Sequence, residues 1–179
     1  MNINISVGNV FEIAADILLV QSNIHQPCEK PSSLMSQAFN LAGDKFKDTF
    51  DYETRESSLN YGDVLIMQPE NLSQRFMNIC VGFPGMGHPE SFNRMLKSLF
   101  SFGISVAGKL KRRVTLSTPL VGTNVGGLSI EEFMEGFNSN ILQLKESGNY
   151  RRFDTINIVV KNHEEKELVE SLLQFQTTG

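Results

Sequence analysis

The chain is poor in the groups that would tie it to several large classes of protein. It has two cysteines, Cys28 and Cys80, in 179 residues, too few for a disulfide scaffold. Cys80 stands in an apolar, strand-like run, where a reduced and buried thiol is expected. The three histidines, His25, His88 and His163, fall in separate parts of the chain, so no metal-ligand spacing emerges and neither a metal nor a cofactor is expected. Positive charge is scarce as well. Sixteen Lys and Arg against twenty Asp and Glu give a formal net charge of −4, the opposite of a nucleic-acid binder's footprint. The one basic cluster, Lys109 to Arg113, falls where a helix gives way to a strand, and cations there favour the helix dipole whatever the function. No apolar run is long enough to cross a bilayer. The first residues, MNINISVGNV, lack the basic region and apolar core of a signal peptide, so a cytoplasmic protein is expected, with no membrane or nucleic-acid partner. No Gly-Lys-Ser or Gly-Lys-Thr follows a glycine-rich stretch, which removes the lysine and magnesium ligand of triphosphate chemistry. Repeats and low-complexity segments are missing too, and the length fits a single domain over residues 1–179.

What the chain does have is an alternation of strand-like and helix-like runs. NINISV alternates in the manner of a strand, and ADILLVQS is continuously apolar, as a strand is when both its faces are covered. SSLMSQAFNLAGDKFKDTF places Leu34, Ala38, Leu41, Ala42 and Phe46 at helical spacing behind a cap at Ser32 or Ser33. DVLIMQP and RFMNICVGFP end in prolines and read as strands. The charged stretch DTFDYETRESSLNYG reads as a surface connection inside the domain. A helix is expected from Ser91 to Leu110, weakened but not ended by Gly103 and Gly108, and RRVTLSTPL is expected to be a strand. Two further helices carry caps spaced as Ser129 with Glu132 and Asn162 with Glu165, with the strand DTINIVVK between them. Strands alternating with helices in the second half imply parallel pairing. The fold class expected is α/β: a three-layer α/β/α sandwich around a mixed, largely parallel sheet.

In such sheets ligands collect beyond the carboxyl ends of the strands, and three loops at those ends stand out. One is VGNV, Val7 to Val10; the second is QSNIHQPCEKP, Gln21 to Pro31; the third is GTNVGG, Gly122 to Gly127. The glycines and asparagine of the third turn the chain cheaply and leave N–H groups bare at a helix start, which attracts anions. A glycine turn that merely lets strand and helix approach closely is the alternative. GFPGMGHPE, Gly82 to Glu90, is a further glycine-rich stretch, read either as a surface turn or as a flap over a pocket. His25 and Cys28 share a loop and could act as base and nucleophile, but short spacing in a loop favours a solvated histidine and an incidental thiol.

The order of ISVGNV, ADILLVQSN and PLVGTNVGGLSIEEF resembles the macro domain, the family that binds ADP-ribose and its relatives. The resemblance runs from Ile3 to about the last strand. It implies that Asn9 stands where the family has an adenine-recognising Asp, keeping an acceptor oxygen but losing the charge. Val10 then offers a backbone N–H, and Asn23 approaches the distal ribose. Gly122, Thr123, Asn124, Val125, Gly126 and Gly127 take the role of the diphosphate loop. Asp16, matching the family's strand-initial Asp, reads as a structural cap or turn residue. Three departures stand beside the matches. Val20 replaces an earlier Asn, Gly126 replaces the aromatic residue inside the phosphate loop, and no run of glycines follows Asn23. The last of these wraps the diphosphate and holds a water in members that hydrolyse ADP-ribosyl bonds. The resemblance therefore implies a module that binds ADP-ribose or another NAD-derived nucleotide, free or attached to protein, without turnover. An ADP-ribosyl hydrolase is the alternative, and a place in NAD metabolism or ADP-ribosylation follows from either.

Overall fold

The apolar runs become six strands, β1 (Asn2–Val7), β2 (Ala15–Gln21), β3 (Val64–Met67), β4 (Phe76–Gly82), β5 (Val114–Pro119) and β6 (Phe153–Val160), joined in one sheet of order β1-β6-β5-β2-β4-β3. The computed structural model describes residues 1–24, 30, 32–123 and 126–175. All hydrogen-bonded strand pairs are parallel except β3 with β4, so the sheet is mixed and largely parallel. Among the described residues five α-helices cover it: α1 (Leu34–Ala42), α2 (Asp44–Glu56), α3 (Pro89–Leu110), α4 (Ile130–Glu146) and α5 (His163–Leu172).

The central strand explains why ADILLVQS shows no alternation. Ile17 and Leu19 join the core packed by α3, α4 and α5, whereas Leu18 and Val20 join the core packed by α1 and α2. All four are fully buried, as a strand sandwiched between two helical layers requires. Over β1, β6 and β5 the second face is instead polar: Asn4 Nδ2 donates to Asn157 Oδ1 at 3.3 Å, and Asn157 Nδ2 donates to Ser117 Oγ at 3.1 Å.

Some expectations from sequence need correction. The helix read from Ser32 to Phe50 is two helices meeting at Gly43, whose φ of 95° ends α1 and turns the chain into α2. A Cβ at this glycine would stand 2.6 Å from Asn71 Nδ2, so the turn is close-packed as well as left-handed. The charged stretch after it is not a plain connection, because α2 runs on to Glu56. Phe46 and Phe50 lie one turn apart on α2, are buried, and meet the Phe39 ring at centroid distances of 6.2 and 5.4 Å. Two rings at helical spacing outweigh the polar residues around them. Leu41, expected on the buried stripe, is 43 % exposed, because the stripe of α1 runs through Met35, Ala38 and Ala42.

The helix expected from Ser91 begins at Pro89, where a proline at the first turn loses no hydrogen bond. It passes through both its glycines. At Gly103 the reason is contact: an added Cβ would lie 2.6 Å from Phe153 Cε1. Lys111, with a φ of 53°, ends the helix in the left-handed conformation. The basic cluster then meets Asp16. Arg112 Nη2 donates to Asp16 Oδ1 at 2.6 Å and Arg112 Nη1 to Oδ2 at 3.0 Å. The Thr115 N–H adds a bond to Oδ2 at 2.8 Å, so Asp16 ties β2 to β5 as a structural residue. Cys80 is buried in β4, and burial pushes its thiol pKa up, away from reactivity.

Candidate functional site

A cavity of about 460 Å³ lies across the carboxyl ends of the strands, where the connections into helices and turns gather. In sheet order, Asn9 and Val10 follow β1, Lys161 and Glu165 follow β6, and Leu120, Thr123 and Gly126 follow β5. Gln21 to Asn23 mark the end of β2, Pro84 to Met86 follow β4, and Tyr61 comes just before the antiparallel β3. Of the site residues expected from sequence, Asn9, Val10, Asn23, Thr123 and Gly126 line this cavity. Gly122 and Gly127 do not line it. Asn124 and Val125 lie outside the described residues, as do His25 and Cys28.

The β1 end is held by a short turn. Asn9 caps the 3₁₀ turn Val10–Glu12, its Oδ1 accepting from the Phe11 N–H at 3.1 Å. Val10 and Phe11 are buried beneath it. The Gly8 N–H donates to the Val160 carbonyl at 3.0 Å, which fastens the end of β1 to β6. On the far side the start of α5 carries the expected cap, the Glu165 N–H donating to Asn162 Oδ1 at 2.8 Å. Glu165 in turn accepts from the Lys161 N–H at 2.9 Å.

The loop from β5 to α4 has most of its described N–H groups engaged within the protein. Gly122 N–H donates to Gln21 Oε1, Gly126 N–H to the Thr123 carbonyl at 3.2 Å and Leu128 N–H to the Gly122 carbonyl at 2.9 Å. Gly122 is therefore a packing residue: its N–H is spoken for, and a Cβ on it would meet Leu128 Cδ1 at 2.7 Å. Gly122 and Gly127 have φ of 82° and 77°, as a turn built on left-handed residues needs, while Gly126 does without a positive φ. The helix beyond begins with a complete capping box, Ser129 Oγ accepting from the Glu132 N–H at 3.1 Å and Glu132 Oε2 from the Ser129 N–H at 2.8 Å.

Sequence reasoning missed part of the wall. Gln21 heads a loop notable for its position, yet its side chain serves to anchor the neighbouring loop. Pro84, Gly85 and Met86 belong to the stretch read as a surface turn or a flap, and they line the cavity. The Gly87 N–H donates to the Gly126 carbonyl at 2.7 Å, so that stretch is part of the site's frame. Tyr61 packs on Gly85, where an added Cβ would lie 3.3 Å from its Cγ. Nothing in the local sequence marks Tyr61; only the antiparallel course of β3 brings it to this end.

The charge of the site is small. Among the described lining residues the ionised side chains are Lys161 and Glu165, and the rest of the polar surface is amide, hydroxyl and backbone. Among the described residues no group of three His, Cys, Asp or Glu gathers as a metal site, and no helix is long and apolar enough to cross a membrane.

Neither a protein-family model nor a curated protein sequence matches the chain. Solved structures do match in shape. A variant of the Oceanobacillus iheyensis macrodomain superposes with a TM-score of 0.78 at 15 % identity, over 97 % of this chain and 90 % of that one. The Trypanosoma brucei macrodomain in complex with ADP-ribose gives 0.75 at 14 % identity, over 95 % of this chain and 68 % of that one. The O. iheyensis macrodomain with ADP gives 0.75 at 13 % identity, over 94 % and 87 %. With its sheet order, its covering layers and this likeness taken together, the chain has the macrodomain fold.

Proposed function

We propose that the protein is a binding module for ADP-ribose or a related NAD-derived nucleotide, free or attached to protein, and that it binds without turnover. The observation that carries this reading is the cavity itself, which brings Asn9, Asn23, Thr123 and Gly126 into one space at the carboxyl ends of the strands, beside the loop that leads into α4. Glycine-rich backbone between a strand and a helix can turn N–H groups toward phosphate oxygens, and the amides on either side offer hydrogen bonds to neutral parts of a nucleotide. The bound nucleotides of the similar structures, ADP-ribose and ADP, support the same class of ligand. In support of binding without turnover, Glu165 is the single carboxylate among the described lining residues. It already accepts a backbone N–H at the β6 end, whereas Asn23 follows β2. A general base must be within reach of the water it activates.

Calorimetric titration tests the reading. ADP-ribose is expected to bind about tenfold more tightly than AMP, because the loop before α4 would hold a second phosphate that AMP lacks. Equal affinity would remove the loop before α4 from the site. Incubation with protein mono-ADP-ribosylated on acidic or on serine side chains is expected to release no product above background. Release abolished by Asn23→Ala would make the protein a hydrolase instead, and release abolished by Cys28→Ser would point to a thiolate nucleophile.

A further inference from the structure

The β1 end of the cavity has a hydrogen-bonding polarity set by one side chain, and its consequence for binding rests on the reading that a nucleotide lies here with its base beside Asn9. Asn9 lines the cavity and caps the Val10–Glu12 turn, its side chain accepting from the Phe11 N–H at 3.1 Å. A backbone N–H must face an acceptor, so the amide oxygen is the atom fixed at the turn and the amide nitrogen is the atom left over. Turning the amide over would set two donors, Nδ2 and the Phe11 N–H, against each other. Nδ2 has no hydrogen-bond partner among the described residues, and neither has the adjacent Val10 N–H.

An aspartate making the same cap would leave its second oxygen in this place, a pure acceptor suited to the exocyclic amine of adenine. The asparagine leaves an NH₂ group, a pure donor. An amine brought to it meets donor with donor, and could be accommodated only by competing for the oxygen that already holds the turn. A carbonyl brought to it is matched. We propose that this site selects a nucleotide carrying a 6-oxopurine over one carrying adenine. O6 and N7 of such a base are adjacent acceptors and suit the two donors, Asn9 Nδ2 and the Val10 N–H. Val10 and Val159, both buried and both lining the cavity, supply the apolar floor that a purine ring needs.

The experiment is calorimetric titration of ADP-ribose and of its hypoxanthine counterpart, in which the amine at C6 is replaced by a carbonyl, against the wild type and Asn9→Asp. Aspartate caps such a turn as well as asparagine does, so the variant is expected to fold, and thermal melting verifies that it has. The wild type is expected to bind the hypoxanthine compound about tenfold more tightly, a modest ratio because the amide is at an exposed rim. Asn9→Asp is expected to reverse the order. Equal affinity in the wild type, tighter binding of ADP-ribose, or a preference that Asn9→Asp leaves unmoved overturns the inference and leaves the nucleotide-binding reading standing. Failure of the wild type to bind either compound overturns both.

Discussion

The two ends of the sheet are made of opposite materials. Where β2 and β5 begin, Asp16 is 9 % exposed and its carboxylate is held by the Arg112 guanidinium, the Thr115 N–H and the Thr115 hydroxyl. Five residues further along β2, about 17 Å at a strand's rise, the polar surface of the cavity is, Lys161 and Glu165 apart, neutral amide, hydroxyl and backbone, with donors such as Asn9 Nδ2 unmatched among the described residues. Polar groups that satisfy one another close a surface and stabilise the fold, while polar groups left without partners are where a ligand's atoms take the partner's place. The same strands thus serve stability at one end and recognition at the other.

Substitutions at the two ends should therefore separate affinity from stability. The largest effect is expected at the open end. At Gly126 an added Cβ would meet nothing within 4 Å and no positive φ is required, so Gly126→Val is expected to melt within a degree or two of the wild type. Its side chain would occupy ligand space, and ADP-ribose affinity is expected to fall about thirtyfold, roughly 2 kcal/mol. Unchanged affinity in the folded variant would erase the contrast.

At the closed end the order reverses. Asp16→Ala leaves the partly buried Thr115 N–H without its acceptor and is expected to cost about 2 kcal/mol in urea unfolding, with ADP-ribose affinity unchanged. The Asp16 carboxyl also predicts a pH dependence. Burial pulls its pKa upward, but the hydrogen bonds from Arg112 and Thr115 and the Arg112 charge outweigh burial and hold it below the ordinary carboxylate value. A lowered folded-state pKa means that the stabilisation is complete above the unfolded value of about 3.9 and is lost as pH falls through the folded one. Acid titration of stability should show a loss in that range for the wild type and a smaller one for Asp16→Ala. Identical acid profiles would show that the charged cluster contributes nothing.

Along α3, which leads from the cavity end back toward Arg112, two glycines sharpen the comparison with smaller effects of opposite sign. Gly103→Ala would drive a methyl into the fully buried Phe153 ring and is expected to cost about 1–3 kcal/mol. Gly108 faces open space, so Gly108→Ala is expected to stabilise the helix by about 0.5–1 kcal/mol. Thermal melts of the pair measure both.

These contrasts show which parts of the molecule could be read from the chain. Periodicity reports burial directly, so β2 with apolar residues on both faces and the caps at Ser129 and Asn162 were visible. The break at Gly43 was not, because a glycine within a helical pattern can equally be passed through, as Gly103 and Gly108 are in α3, and it is the φ of 95° at Gly43 that ends α1. At the site, Asn9, Asn23 and the loop before α4 stood out because loops following parallel strands must gather at one end. Tyr61 and Gln21 did not. The first reaches the cavity through an antiparallel edge strand, and the second matters for a bond to Gly122, which is 101 residues distant. Asn9 was legible as a residue but not as a polarity, since only the bond to Phe11 decides which end of the amide is left over.

The bond from the Gly87 N–H to the Gly126 carbonyl constrains how the molecule can be rebuilt. In the sheet, β2 lies between β4 and β5, so the segments following those two strands meet over its end like an arch, with this bond as a keystone. Neither segment can gain or lose residues alone without pulling the keystone apart. Lengthening one by even a residue or two demands a matching change in the other, and the two must therefore be grafted, exchanged or redesigned as a pair.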